Sequence, residues 1–426
     1  MKSFTKTFLF LSIACSLLLL IGCNQFQDLL RQEVDITDAK GEGLEGGILP
    51  KGVRKGVICH NPSQLNTLLY VYIDANSSNA FHTKSTDGGN TWGTPVQITS
   101  LFNVKDLAAV MDGNGNGVGV FIDSATDDTC AGARVVYSVL YNGSNSWAEP
   151  SELLSGSPPQ LRLLPSVVHT NGNEYLFGVG YDTGGGGSGN DTNALTSLWD
   201  GNTMEAPPQN VDLDEETDNP ITCQQVAYDL FNNSTIYYLY FDNHSDWEAN
   251  GGDMFVIPGT YEVGAYSWSG SETRVVDKTD NERPGQGYLF HGNGGDLILI
   301  YAVEVGSPPS GNALYMKHAD DLGSLDSATE TSLETQLQFT QNTWGRYRTV
   351  YAAQDPTGDI HIVFQDLSNN IKWIKINSST YAIEITQTIA TEKWIDSISM
   401  GENTLYVSMI DDLFTTNNAS LLKLFF

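Results

Sequence analysis

The chain has 426 residues, with 51 acidic against 21 basic side chains and a formal net charge of −30. Such a surface repels nucleic acid and anionic lipid headgroups and favours cations and basic partner patches, so no nucleic-acid partner is expected. Hydrophobic residues at 40%, with 8 Trp and 19 Tyr, exclude a disordered polyelectrolyte.

The N-terminus carries Lys2 and Lys6, then an apolar run from Phe8 to Leu20 that is short for a bilayer span. It ends in Leu20-Ile21-Gly22-Cys23, which resembles a bacterial lipobox. The resemblance implies a signal peptide over 1–22, cleavage before Cys23 and lipidation of Cys23. An ordinary secretory leader with a nearby cysteine is the alternative. Asn24, where an Asp would retain a lipoprotein in the inner membrane, favours the outer membrane, facing either the surface or the periplasm. Residues 23–52 are polar and Gly-rich and read as a tether, leaving 53–426 as one domain. Beyond the leader and Cys23 only Cys59, Cys130 and Cys223 remain, which allows at most one disulfide.

From residue 69 onward one phrase recurs: an alternating apolar strand that ends in a carboxylate. The acids are Asp74, Asp123, Asp182, Asp242, Glu304, Asp366 and Asp411, at steps of 49, 59, 60, 62, 62 and 45 residues. Each strand is preceded by another apolar strand and a Gly- or Asn-rich turn, such as Asp112 to Gly117 or Asp355 to Asp359. Gly and Asn supply the positive φ that hairpins need. A third strand follows, such as Val135 to Leu140 or Ile371 to Lys375, and then a more polar fourth. Repeats of this length built from strands predict an all-β propeller of four-stranded blades, seven in number with six as the rival count. The last unit stops after three strands, and the segment around Ile48 to Val53 is expected to close the ring. A monomer is expected.

Ser85-Thr-Asp87-Gly-Gly89-Asn-Thr-Trp92 matches the Asp-box, Ser-x-Asp-x-Gly-x-x-Trp, at every position. The Asp side chain suits its own turn backbone, Gly takes positive φ, and Trp is expected to pack between blades. Degenerate echoes stand at Trp147, Trp199 and Trp268. The chain thus resembles the sialidase-like (BNR/Asp-box) propeller superfamily, in which the Asp-box is structural and lies away from the active face. Function has to be argued from the site and not from the fold.

The resemblance implies what a sialidase would need: three arginines for the substrate carboxylate, a Tyr activated by Glu, and an Asp as acid/base. Arg54 stands where the first arginine belongs, but within Val53-Arg54-Lys55-Gly56 instead of the aromatic-Arg-Ile-Pro pattern. Arg283, Arg346 and Arg348 fall at the starts of later inner strands, with Tyr347 between the last two. Pairing with neighbouring acids is the structural alternative.

The seven acids belong to the face shared by the B–C and D–A loops. They either cap loop N–H groups or form a negative funnel for a cation or basic ligand, calcium being the candidate ion. Asp112 to Asp123 also fits the start of a calcium loop, but the same turns recur in other hairpins and the turn reading prevails. The seven His residues are scattered without metal spacing, so no metal site and no other cofactor is assigned. The expected function is a membrane-anchored lipoprotein whose propeller binds an extracellular glycan or protein without catalysis. The alternatives are a sialidase-type glycoside hydrolase and a periplasm-facing docking factor.

Overall fold

The computed structural model describes residues 31–35, 53–64, 66–98, 103–124, 133–140, 145–154, 160–161, 166–170, 174–182, 192–199, 209–212, 222–228, 234–243, 252–278, 282–292, 294–305, 312–338, 349–411 and 419–426. The leader, Cys23 and Cys130 lie outside these residues.

A short strand, β1 (Arg31–Asp35), comes first. Blade 1 is β2 (Val53–His60), β3 (Leu68–Asp74), β4 (Ala80–Ser85) and β5 (Val96–Gln97). Blade 2 is β6 (Val104–Met111), β7 (Gly117–Ser124), β8 (Ala133–Leu140) and β9 (Ser151–Leu154). Blade 3 holds β10 (Gln160–Leu161) and β11 (Ser166–His169), both paired with β12 (Tyr175–Asp182), then β13 (Thr192–Trp199) and β14 (Gln209–Asp212). Blade 4 holds β15 (Thr222–Tyr228), β16 (Thr235–Asn243) and β17 (Gly252–Glu262), with β18 (Ala265–Trp268) and β19 (Thr273–Asp277) both paired to β17. Blade 5 is β20 (Glu282–His291), β21 (Leu297–Val305), β22 (Ala313–Ala319) and β23 (Thr331–Glu334). Blade 6 is β24 (Val350–Gln354), β25 (Ile360–Gln365), β26 (Asn370–Ile376) and β27 (Ile383–Thr391). Blade 7 is β28 (Trp394–Met400), β29 (Thr404–Ile410) and β30 (Ala419–Phe425), completed by β1.

This is a seven-bladed propeller, and the rival count of six is excluded. All pairings are antiparallel, and the acid-ended strands are the second strand of every blade. These B strands are buried on both faces, as in Leu68 to Asp74, because a neighbouring blade covers each side. Their Tyr, Val and Ile content suits that place. The apolar core is accordingly not one body but seven seams. Cys59, Leu69, Val104 and Phe121 lie between blades 1 and 2. Ile58, Tyr70, Tyr406 and Leu421 lie between blades 7 and 1.

Ring closure differs from expectation. β1 pairs antiparallel with β30, from Arg31 opposite Leu424 to Asp35 opposite Ser420. Val53 instead begins the first inner strand, opposite Asp74. The closing strand therefore comes from inside the span expected to be a tether. A fourth strand needs backbone pairing, which Arg31-Gln-Glu-Val-Asp35 supplies, and four of its five residues are polar in sequence. Cys59 is a free buried thiol, and burial pushes its pKa up.

Inner strands have a free edge facing the axis, which leaves amides to satisfy. Neighbouring blades do this with side chains. The amides of Gly56, Ile58 and His60 donate to Asp396 Oδ1, Ser397 Oγ and Ser399 Oγ at 2.7, 2.8 and 2.9 Å. The Val226 amide donates to Ser166 Oγ at 3.2 Å, and that of Val350 to Gln286 Oε1 at 3.1 Å.

Candidate functional site

All seven acids stand at the B-strand ends, on the side of the B–C loops. Asp74 accepts from the amides of Asn76 and Ser77 at 3.2 and 3.4 Å and from Ser77 Oγ at 3.2 Å. Asp366 accepts from the Ser368 and Asn370 amides at 2.9 and 3.0 Å and from Asn370 Nδ2 at 3.0 Å. It also pairs with Lys372 at 3.2 Å. Burial raises the Asp366 pKa, but these donors overcome it and hold the carboxyl below its ordinary value. Asp123 accepts from the Asn103 amide at 3.3 Å. Glu304 is buried and stands opposite Arg283 in register. Asp182 and Asp242 end β12 and β16 opposite Gln160 and Asp253; their side chains lie outside the described residues. Asp411 follows β29 and is exposed. Asp74 and Asp366 thus act as turn caps, the plainer of the two sequence readings. No group of three or more His, Cys, Asp or Glu suited to a metal ion occurs among the described residues.

Arg54 lies in a β-bulge between Val53 and Lys55, and Arg283 lies near the start of β20. Both sit at the entrance end of inner strands. Arg346, Tyr347 and Arg348 are outside the described residues. The inner strands β2, β6, β15, β20 and β28 all carry register shifts near this end. A bulge re-aims the side chains beside it, and here the re-aiming recurs around the mouth of the channel.

One consequence is a polar cluster that the sequence pattern did not single out. Lys55 forms an ion pair with Asp106 of the next inner strand, and the Leu107 amide donates to the same Asp106 oxygen at 2.8 Å. On the other side of Lys55, Asp396 bridges blades 7 and 1. It accepts from the Tyr70 hydroxyl at 2.6 Å and from the Gly56 amide at 2.7 Å. The Tyr351 hydroxyl donates to the Asp396 carbonyl at 2.7 Å. Burial pushes the Asp396 carboxyl up to about 6, against the lowering pull of Tyr70, Gly56 and Lys55. Burial first, then the adjacent carboxylate, raises Tyr70 well above its ordinary value. A Cβ on Gly56 would come within 2.3 Å of the Tyr70 hydroxyl oxygen, so glycine is needed for the approach. The only sequence signal was an Asp placed beside Ile395 in a strand, Trp394-Ile-Asp-Ser-Ile-Ser-Met400, whose other polar residues are the uncharged Ser397 and Ser399.

A tyrosine beside a carboxylate is the pairing a sialidase nucleophile requires. Here Tyr70 is 0% exposed and Asp396 4%. A hydroxyl sealed from solvent and shifted away from ionisation cannot attack a substrate. The pair is a clamp across the seam.

The Asp-box is built as expected at the opposite face. Ser85 Oγ accepts from the Gly89 amide at 2.8 Å, and Asp87 Oδ1 from the Thr91 amide at 2.9 Å. Trp92 Nε1 donates to the Gly89 carbonyl at 3.2 Å, and its ring is buried in the seam between blades 7 and 1. Trp147 and Trp199 likewise enter the seams before their own blades.

These features define a seven-bladed propeller with an Asp-box and a turn-capped entrance face. Known structures of similar architecture include a protein of unknown function from Dyadobacter fermentans, at TM-score 0.54 and 11% identity over 88% of this chain and 98% of that one. An ulvan lyase of polysaccharide lyase family PL25, bound to -[GlcA(1-4)Rha3S]-, aligns at TM-score 0.54 and 10% identity over 87% and 93%. The α-L-arabinofuranosidase Arb93A from Fusarium graminearum aligns at TM-score 0.51 and 11% identity over 76% and 93%. At such identities the likeness is one of fold. No protein-family model and no curated protein matches the chain.

Proposed function

We propose that the protein is a lipid-anchored outer-membrane propeller that binds a neutral glycan at its B–C face without chemistry. The observation that carries this reading is the use of the rim carboxylates. Asp74 and Asp366 spend their oxygens on their own B–C turns, which stiffens the loops of a recognition surface. A stiff surface binds with less ordering cost. Propellers of similar fold include enzymes named for arabinofuranosides and ulvan, so a carbohydrate is the ligand class. The net charge of −30 opposes a polyanionic glycan and leaves a neutral one. The anchor rests on the lipobox at Cys23.

A glycan array probed with the purified protein tests this. Binding to neutral glycans that persists at high salt is expected, with no fluorophore release from a panel of fluorogenic glycosides. Absence of any glycan binding would overturn the ligand class, and glycoside turnover would overturn the non-catalytic role. Labelled palmitate should enter the protein in cells and be lost in Cys23→Ser.

A second reading, a sialidase-type hydrolase, draws on the placement of Arg54 and Arg283 at the entrance ends of their strands. Arg346, Tyr347 and Arg348 would complete it. Release of fluorophore from a sialic-acid conjugate, lost in Arg283→Ala, is its test.

A further inference from the structure

The inner strands of all seven blades enclose a cavity of about 400 Å³ on the propeller axis. Every strand contributes residues from its C-terminal half, so the cavity occupies the end of the channel nearest the A–B turns. It is separate from the B–C face and owes nothing to the glycan reading. Val57, Ala109, Val167, Ala227, Phe290 and Ala353 each come from a different blade. Such a wall is part of the ring itself and is preformed.

The chemistry of the wall is opposite to that of the molecule. The chain carries a net charge of −30, yet no Asp, Glu, Lys or Arg is among the described residues lining the cavity. The polar lining groups make structural bonds. Gln354 Nε2 donates to the carbonyls of His291 and Gly358. The Tyr288 hydroxyl donates to the Val350 carbonyl at 3.0 Å. Ser399 Oγ accepts the His60 amide, and the His60 ring stacks on Tyr406 at 5.5 Å. The amides of Ile58 and Val226, on the inner edges of their strands, are taken by Ser397 and Ser166. What remains facing the axis is mainly hydrocarbon.

Small-molecule sites run from about 300 to 1,000 Å³ and are mostly apolar. A dry apolar cavity of roughly 150 Å³ takes a single benzene ring. We propose that this end of the channel is a binding site for a neutral apolar small molecule with a skeleton of two or three rings. Charged ligands are excluded by the cost of stripping their water with no counter-charge in the wall.

The probe is N-phenyl-1-naphthylamine, a neutral three-ring fluorophore, titrated into the purified protein. Saturable binding at one probe per chain is expected. Ala353→Leu and Ala109→Leu, on opposite sides of the ring, fill the cavity and should each weaken binding by about tenfold or more. The melting temperature reports that each variant is folded. A linear, unsaturable signal would show a channel that holds only water and would overturn the proposal. Equal affinity in a folded variant would do the same. Should both variants unfold, a crystal soaked with the probe decides. Density on the axis beside Val57 and Phe290 supports the site, and density elsewhere on the protein refutes it.

Discussion

Two carboxylates illustrate how far placement alone moves an acid. Burial raises Asp87, but bonds from Thr91, Ser85 and Asn90 prevail and hold it at about 2. Asp396 has donors too, but burial wins and it sits at about 6. The fold therefore prefers Asp396 protonated. That advantage is fully present below the ordinary value of 3.8 and is lost as pH rises through about 6. A shift of this size corresponds to roughly 3 kcal/mol. His82 works oppositely in the same range. Burial holds it down to about 4, so its contribution is lost as pH falls from 6.5 towards 4. The difference between native protein and Asp396→Asn isolates the aspartate, because the amide keeps one acceptor oxygen and cannot ionise. Urea midpoints at pH 4 and pH 7 should show the variant gaining on the native protein by up to roughly 3 kcal/mol as pH rises. A constant difference would remove the raised carboxyl. The sequence did not point to this residue because its partner, Tyr70, is 326 positions away. A repeat pattern shows what each blade is, not which side chains meet across a seam.

Elements whose bonds are local were legible. The Asp-box closes its hydrogen bonds between Ser85 and Trp92, so eight residues of sequence define it. The B–C caps are similar, since Asp366 bonds residues two and four positions onward. The box also reaches outward: Lys423 Nζ donates to Asn90 Oδ1 at 2.7 Å. Gly89 has φ +83, and a Cβ there would lie 2.5 Å from Leu421. Ser85→Ala removes the hydroxyl that accepts the buried Gly89 amide and should cost about 1–3 kcal/mol. Gly89→Ala should cost at least about 1 kcal/mol through its backbone alone. Both losses should appear as lower urea midpoints and, under the proposed function, leave glycan binding unchanged, because the box lies on the far face. A Ser85→Ala protein as stable as the native one would show that the box is not bearing on the seam.

At the scale of the whole molecule the question is what keeps a ring of seven blades shut. Six seams join blades that follow one another in the chain. The seventh joins blade 7 to blade 1 across more than 300 residues, through Asp396 with Tyr70 and Gly56, Ser397 with Ile58, and Lys423 with Asn90. Blade 7 itself is complete only because β1 lies against β30. The sequence placed that strand wrongly for a physical reason. Outer strands are very short, as β5 shows, or largely exposed, as β27 shows, so they leave a weak signature. Without β1, the buried strand β30 would present an open edge, which invites pairing with a second chain. Removal of residues 1–30 should leave the melting temperature unchanged, whereas removal of 1–35 should lower it by roughly 5 °C or more. The shorter protein should also form larger species by size-exclusion chromatography. Equal melting temperatures for the two truncations would mean that blade 7 closes without β1. The inter-blade side chains would then be sufficient to hold the ring.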